Sequence, residues 1–240
     1  MKYLSLAILY NGDYFKIRKH VELGKQVPEF SYDGKYVEYG DERYPAALYQ
    51  CEYPPYVLFY EGNLDLLNNP AVAVIGNRKP SEYSLNATAS LVKSLRSNCV
   101  IISGLAYGID IEAHKNALDF SSVAVLGCGV DVCYPKGHQN VFEELKANHL
   151  VLSEYPKGVH PQRHHFPFRN RIIAALSKQI YVMSATIKSG TLGTVDEALK
   201  LNREIICLPH QINDPTGKGC NYLIEQGASM LTNLKDLSNI

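Results

Sequence analysis

The sequence predicts an α/β protein, an open and mainly parallel sheet with helices on both faces, joined to a small N-terminal extension. Three observations carry this. Six short runs after residue 70 are nearly continuous in apolar residues, as strands buried on both faces should be. Helix-length stretches separate them, and strand alternating with helix implies right-handed crossovers between parallel strands. Gly or Ser follows five of the six runs directly or within a few residues, at the carboxyl edge where such sheets bind ligands.

Residues 1–43 are polar, rich in Tyr and weakly periodic, with turns at Asn11-Gly12-Asp13 and Asp33-Gly34. From Tyr44 to Leu67, Tyr44-Pro45, Tyr53-Pro54-Pro55 and Glu61-Gly62-Asn63 punctuate one short apolar strand, Tyr56–Tyr60. Residues 1–67 are therefore expected to be an extension packed on a larger domain of residues 68–240. In that domain strands are expected at Ala71–Ile75, Val100–Ile102, Val123–Leu126, Leu150–Leu152, Ile180–Met183 and Ile205–Leu208. Helices are expected at about 82–96, 109–119, 139–147, 169–178 and 192–202, with another at about 220–227.

The bulk numbers bound the function. A chain of 240 residues that is 46% apolar can bury a sizeable core. Its 24 basic and 24 acidic side chains balance, which argues against coating nucleic acid by overall charge but leaves a local groove open. The six cysteines include no C-x-x-C pair and read as small buried hydrophobes in a reducing compartment, with no zinc site or disulfide frame. The apolar N-terminal run is short and lacks a small-residue cleavage site, and no apolar run is long enough to span a membrane. The cytoplasm is the expected location.

Charge is nevertheless uneven. From Tyr155 to Val195 there is no Asp or Glu, while Lys157, Arg163, Arg169, Arg171, Lys178 and Lys188 fall in the same stretch with three histidines. Basic residues interleaved with aromatics suit a phosphate backbone. On charge alone, a solvent-facing loop and helix with a chance run of bases explains the stretch equally well. The strand ends favour an anion: Gly76-Asn77-Arg78, Ser103-Gly104, Gly127-Cys128-Gly129 and Ser189-Gly190-Thr191 all lie at one sheet edge. Glycine lets a backbone approach a phosphate, and the N–H groups that open a helix bind anions, although small residues also simply make tight turns. No G-x-G-x-x-G follows the first strand and no G-x-x-x-x-G-K-[ST] occurs, which removes support for ordinary NAD binding and for a P-loop.

The ordered set of motifs resembles the DprA/Smf family of DNA-processing proteins. The matching pieces are Val74-Ile75-Gly76-Asn77-Arg78, Ser103 to Asp110, Val125 to Gly129 with Tyr134-Pro135, Ser153-Glu154-Tyr155-Pro156, Phe166 to Ile173, Ser189-Gly190-Thr191-Leu192, and Gly219 to Ile224 with Gly227-Ala228. The resemblance implies a Rossmann-like domain that binds single-stranded DNA, works as a homodimer and hands the strand to RecA in natural transformation. It implies no cofactor and no catalysis. It places the DNA pocket at Arg78 and at Phe166, Arg169, Asn170 and Arg171. With the neighbouring strand ends, the expected contact set is Gly76, Asn77, Arg78, Gly104, Tyr107, Phe166, Arg169, Asn170, Arg171, Ser189, Gly190 and Thr191. Tyr107 stands where the family has Arg, Asn77 where it has Ser, and His210 where a Gly is common; an acidic residue usual near Ser184 is missing. Tyr107 could stack on a base instead.

Individual roles follow from position. Arg78 leaves the first strand toward the crevice, which suits a phosphate contact. Arg169 and Arg171, two apart, cannot share a helix face, so one is expected at the ligand and the other as a brace, with Arg171 favoured for the ligand. Phe166 either stacks a base or packs in the core. His164 and His165 read as loop donors, and His114 as a structural partner of Asp110 on one helix face. One enzymatic reading remains: Thr191 to Glu197 resembles part of the P-G-G-x-G-T-x-x-E motif of LOG-type phosphoribohydrolases, with Glu197 at a ribosyl centre. A nucleotide-sensing module without catalysis is a third reading.

Overall fold

The computed structural model describes residues 3–96 and 99–233. Among them nine strands form one sheet: β1 (Lys35–Glu38), β2 (Val57–Gly62), β3 (Ala71–Gly76), β4 (Val100–Ser103), β5 (Ser122–Leu126), β6 (Leu150–Ser153), β7 (Gln179–Ser184), β8 (Glu204–Cys207) and β9 (Ser229–Met230). Their order is β1-β2-β6-β5-β4-β3-β7-β8-β9. Strands β6 to β9 in that order are parallel, and β1 and β2 run antiparallel at one edge. The fold is thus the expected Rossmann-like α/β architecture, and each of the six expected strands appears.

Alternate strand residues face opposite layers, because successive side chains on a strand point to opposite sides. On one face Ala73, Ile75, Val123, Val125, Ile180 and Val182 pack with α6 (His165–Leu176), α7 (Gly190–Lys200) and α8 (Lys218–Glu225). On the other, Val72, Val74, Ile101, Tyr181 and Met183 meet α3 (Glu82–Leu95) and α4 (Ile109–Ala117). The same second face, toward β2 and β6, is covered by α1 (Tyr3–Leu9), α2 (Tyr14–Glu22) and α5 (Gln139–Asn148) around Phe59, Leu126, Phe142 and Val151. No helix among the described residues is long and apolar enough to cross a membrane.

Two expectations change. The segment set apart as residues 1–67 shares the main sheet, since β2 pairs with β6 from Phe59↔Ser153 to Gly62↔Leu150. Gly62 permits that edge: its φ is 96° and a Cβ there would collide with the His149 carbonyl oxygen. The helix expected from residue 169 begins at His165. Pro167 lies in its first turn, where the missing N–H would have had no helical partner.

The chain lays down β3, β4, β5 and β6 in one direction and then crosses back to place β7 on the other side of β3. This reversal opens a crevice between the carboxyl ends of β3 and β7, the usual ligand position in such sheets.

Candidate functional site

The crevice has a volume of about 830 Å³. Its walls are the β3 end (Gly76, Asn77, Arg78), the first turns of α6 and the start of α7 at Ser189 to Thr194. Arg78 is exposed, with its guanidinium carbon 5.9 Å from the centre of the Phe166 ring. Phe166 is half-buried and tilts against Tyr134 at 5.4 Å. Tyr107 is 50% exposed and meets His138 edge-on at 4.7 Å. Arg78, Tyr107, Tyr134 and Phe166 together line a small slot opening beside the main crevice. Arg163 and Lys188, outside the expected contact set, also line the crevice and are exposed. Among the described residues no carboxylate pairs with Arg78, Arg163 or Lys188. The run of bases in the sequence was the signal for them; nothing in it told a crevice-lining base from a solvent-facing one.

Arg169 and Arg171 depart from expectation. Arg171 is 3% exposed and all its nitrogens donate to protein. Its Nε reaches the Tyr53 carbonyl at 2.8 Å, Nη1 the Phe168 carbonyl at 2.7 Å, and Nη2 both Glu154 oxygens at 2.7 Å. Phe168 stacks on its guanidinium at 3.7 Å. Arg169 is 5% exposed; Nη1 donates to the Val125 and Gly104 carbonyls, and Nε to Asn170 Oδ1 at 3.3 Å. Arg169 borders the crevice floor, whereas Arg171 lies away from it. Both arginines brace the fold, and the assignment of Arg171 to the ligand is corrected. The physical reason is the earlier helix start, which places both in the second turn of α6, where the helix is enclosed on more than one side and each arginine meets a different neighbour. Acids absent from the local sequence reach them through the fold: Glu154 from the end of β6 and Asp110 from α4. Burial pushes the Glu154 carboxyl up, opposed by Arg171. It pushes Asp110 up and Arg169 down, each opposed by the charge of the other.

The glycines divide into two kinds. A Cβ on Gly76 would meet Ile109 Cγ1 at 2.5 Å, and one on Gly104 would meet Arg169 Nη2 at 2.5 Å and Asp110 Oδ2 at 2.8 Å. These two let protein segments approach each other. Gly190 has nothing within 4 Å of such an atom, and Gly193 has only Asn170 Nδ2 at 4.0 Å. At the α7 start the Gly190 and Thr191 N–H groups precede the first helical bond, as at any helix opening, and the Leu192 N–H donates to the Ser189 carbonyl at 3.2 Å. The Ser189 hydroxyl is buried there without a protein partner, beside buried Thr191 and Thr194. This end of the crevice carries donors of the kind that bind anions at helix openings.

Asn77 is engaged within the protein. Its Nδ2 donates to Ser184 Oγ and the Thr216 carbonyl, both at 2.9 Å, and Oδ1 accepts from the Thr186 N–H at 3.3 Å. It ties β3 to β7 next to Arg78 and also lines the crevice. The turn after β4 is held under strain: buried Leu105 has φ 58°, its carbonyl bonded to His138 and the next N–H to Asp110. His114 shares its 2.7 Å hydrogen bond with Ser122 instead of Asp110. His165 is a buried partner of the Gly127 carbonyl, stacked on Tyr155 at 3.9 Å, while His164 stays exposed. Glu197 binds Lys200 at 2.7 Å and faces a depression with Gln50, Cys51 and Glu52 that is separate from the crevice.

Comparisons with known proteins agree with this fold. Residues 35–240 match the family model described as DNA recombination-mediator protein A. The DNA processing protein DprA of Streptococcus pneumoniae R6 is 41% identical over 199 residues, 82% of this chain and 71% of that protein. Protein Smf of Escherichia coli K12 is 38% identical over 200 residues, 82% of this chain and 54% of that protein. Protein Smf of Synechocystis is 40% identical, and the chain covers 50% of its length. The X-ray structure of DprA from Streptococcus pneumoniae superposes with a TM-score of 0.82 at 35% identity, covering 98% of this chain and 89% of that one. DNA processing protein A from Helicobacter pylori, whose structure was described for its single-stranded DNA binding mode, gives 0.79 at 34% identity over 86% of this chain and 95% of that one. The chain belongs to the DNA recombination-mediator protein A family, that of the DprA and Smf proteins.

Proposed function

We propose that the β3–β7 crevice binds single-stranded DNA, and that the protein, acting as a homodimer in the cytoplasm, shields an incoming strand and passes it to RecA in natural transformation. The observation that carries the binding step is the pairing of Arg78 with Phe166 beside the open start of α7. Cations without acidic partners (Arg78, Arg163, Lys188) meet the backbone, the α7 N–H groups with Ser189, Gly190 and Thr191 seat one phosphate, and Phe166 and Tyr107 offer ring faces to bases. Asn170 stands between the two walls. Asn77, Gly104, Arg169 and Arg171 shape the site from within. The similarity to the Helicobacter pylori protein supports the same ligand. The homodimer and the RecA step rest on family resemblance. Catalysis has no such support, since Glu197 points away from the crevice.

The test is a titration of single-stranded and duplex oligonucleotides across salt. The expected result is preference for the single strand, with log K falling against log salt by about 0.7 per phosphate neutralised. No binding at low salt ends the reading. Release of free base from a nucleoside monophosphate, lost in Glu197→Gln, would replace it with the hydrolase.

A further inference from the structure

We infer that the bound strand does not end in the crevice but crosses the first turn of α6 into a second groove, formed with the N-terminal segment. This rests on the single-stranded DNA reading above. The second groove has a volume of about 790 Å³, close to that of the crevice. One short segment makes a wall of both. Arg163, Phe166, Pro167 and Asn170 face the crevice, while Gln162, His164, His165 and Phe168 face the groove. That alternation is the helical one, since residues three and four apart share a side. The ridge between the two cavities is thus a single helical turn, and the acid-free stretch presents polar or aromatic groups on both of its slopes.

The groove carries the chemistry that a single strand needs. Phe15 is 56% exposed and joins half-buried Phe168 at 5.7 Å in an aromatic platform. Lys16 and Lys157 bring cations, His160 and His164 exposed donors, and among the described residues the only carboxylate lining it is Asp13. Asp13 is held by its own helix, accepting from the Lys16 N–H at 3.1 Å, with Lys16 Nζ 3.1 Å away. Lys157 also reaches the Asp33 carbonyl and Glu61. The net charge is lower than in the crevice, so the groove acts through stacking more than through phosphate capture. It lengthens the path for a strand already anchored at Arg78.

Two oligothymidylates, of about 6 and about 20 nucleotides, separate the two cavities, because positively charged grooves of this kind take sites of about 4–16 nucleotides. Affinity is read by fluorescence anisotropy on the full chain. The wild-type protein is expected to bind the longer strand more tightly per site. Phe15→Ala is expected to weaken the longer strand about fivefold or more, the loss of one stacked base, and to leave the shorter one unchanged. Lys16→Glu, on a side chain 65% exposed, tests the same groove without touching the aromatic platform. Equal affinity of both variants and wild type for the longer strand overturns the extension while the crevice reading stands. Failure of the wild-type protein to bind either strand is failure of the crevice reading itself.

Discussion

Arg171 Nη2 donates to both oxygens of Glu154 at 2.7 Å, with each side chain only 4% exposed. The pair joins the end of β6 to the second turn of α6, and the Arg171 Nε bond to Tyr53 adds the N-terminal segment. Removing one partner strands a buried charge, which costs about 3–5 kcal/mol. Arg171→Ala is therefore expected to lower the melting temperature by roughly 6–20 °C for a chain of this size. The folded fraction keeps its affinity for single-stranded DNA. Replacing both residues with Met removes both charges and is expected to recover part of the loss. Thermal melts beside binding titrations check this; a stable Arg171→Ala protein with lost affinity would return Arg171 to the ligand.

Arg78 behaves in the opposite sense. It is exposed, has no acidic partner among the described residues and rests on Phe166 at 5.9 Å. Arg78→Ala is expected to leave the melting temperature within about 2 °C, because surface substitutions of this kind change stability by under about 0.5 kcal/mol. It removes one phosphate contact, so the slope of log K against log salt becomes shallower by about 0.7. Phe166→Ala is expected to cost about 1–3 kcal/mol of affinity with that slope unchanged, since stacking carries no counterion release. The two substitutions are separated by titration at several salt concentrations.

The glycines give a paired test. Gly104→Ala drives a methyl into Arg169 Nη2 and Asp110 Oδ2, and is expected to destabilise the fold by about 1–3 kcal/mol through overpacking. Gly190→Ala has open space around the new methyl and lies at the start of α7, so stability is expected to hold. Its effect falls on the ligand alone, by keeping a phosphate away from the helix opening. Equilibrium unfolding with DNA titration distinguishes them, and unchanged affinity in Gly190→Ala would move the phosphate away from α7.

The strands were legible because each is nearly continuous in apolar residues and both faces are covered, so no competing pattern arises. The α6 start was not, because Pro167 reads locally as a breaker although the first turn tolerates it. The roles of Arg169 and Arg171 were hidden for a different reason. Their acids, Asp110 and Glu154, come from other elements, and a count of charges along a segment cannot see neighbours supplied by topology. Strand-end glycines were visible as a set, yet whether each admits a phosphate or another protein segment depends on what packs above it, as Gly104 and Gly190 show. The place of Arg78 and Phe166 on the crevice was legible since both sit where a strand or helix end meets the sheet edge.

His114 sets a pH dependence that does not involve the ligand. It is wholly buried between α4 and β5, sharing a hydrogen bond with Ser122, and burial pushes its imidazole down to about 3, helped by nearby His149, His138 and Arg169. An unfolded histidine titrates near about 6.5. Between these values the unfolded chain binds a proton that the folded chain excludes. Stability therefore rises with pH across this window and is lost as pH falls from about 6.5 toward about 3. His165, also lowered by burial, acts in the same sense. Asp110 and Glu154, raised by burial, act in the opposite sense above the ordinary carboxylate range. Substitution isolates the His114 share: between pH 7 and pH 5 the wild-type protein is expected to lose about 2 kcal/mol more than His114→Gln. Urea unfolding at the two pH values measures it, and equal losses in both proteins would mean that the folded His114 imidazole titrates as the unfolded one does.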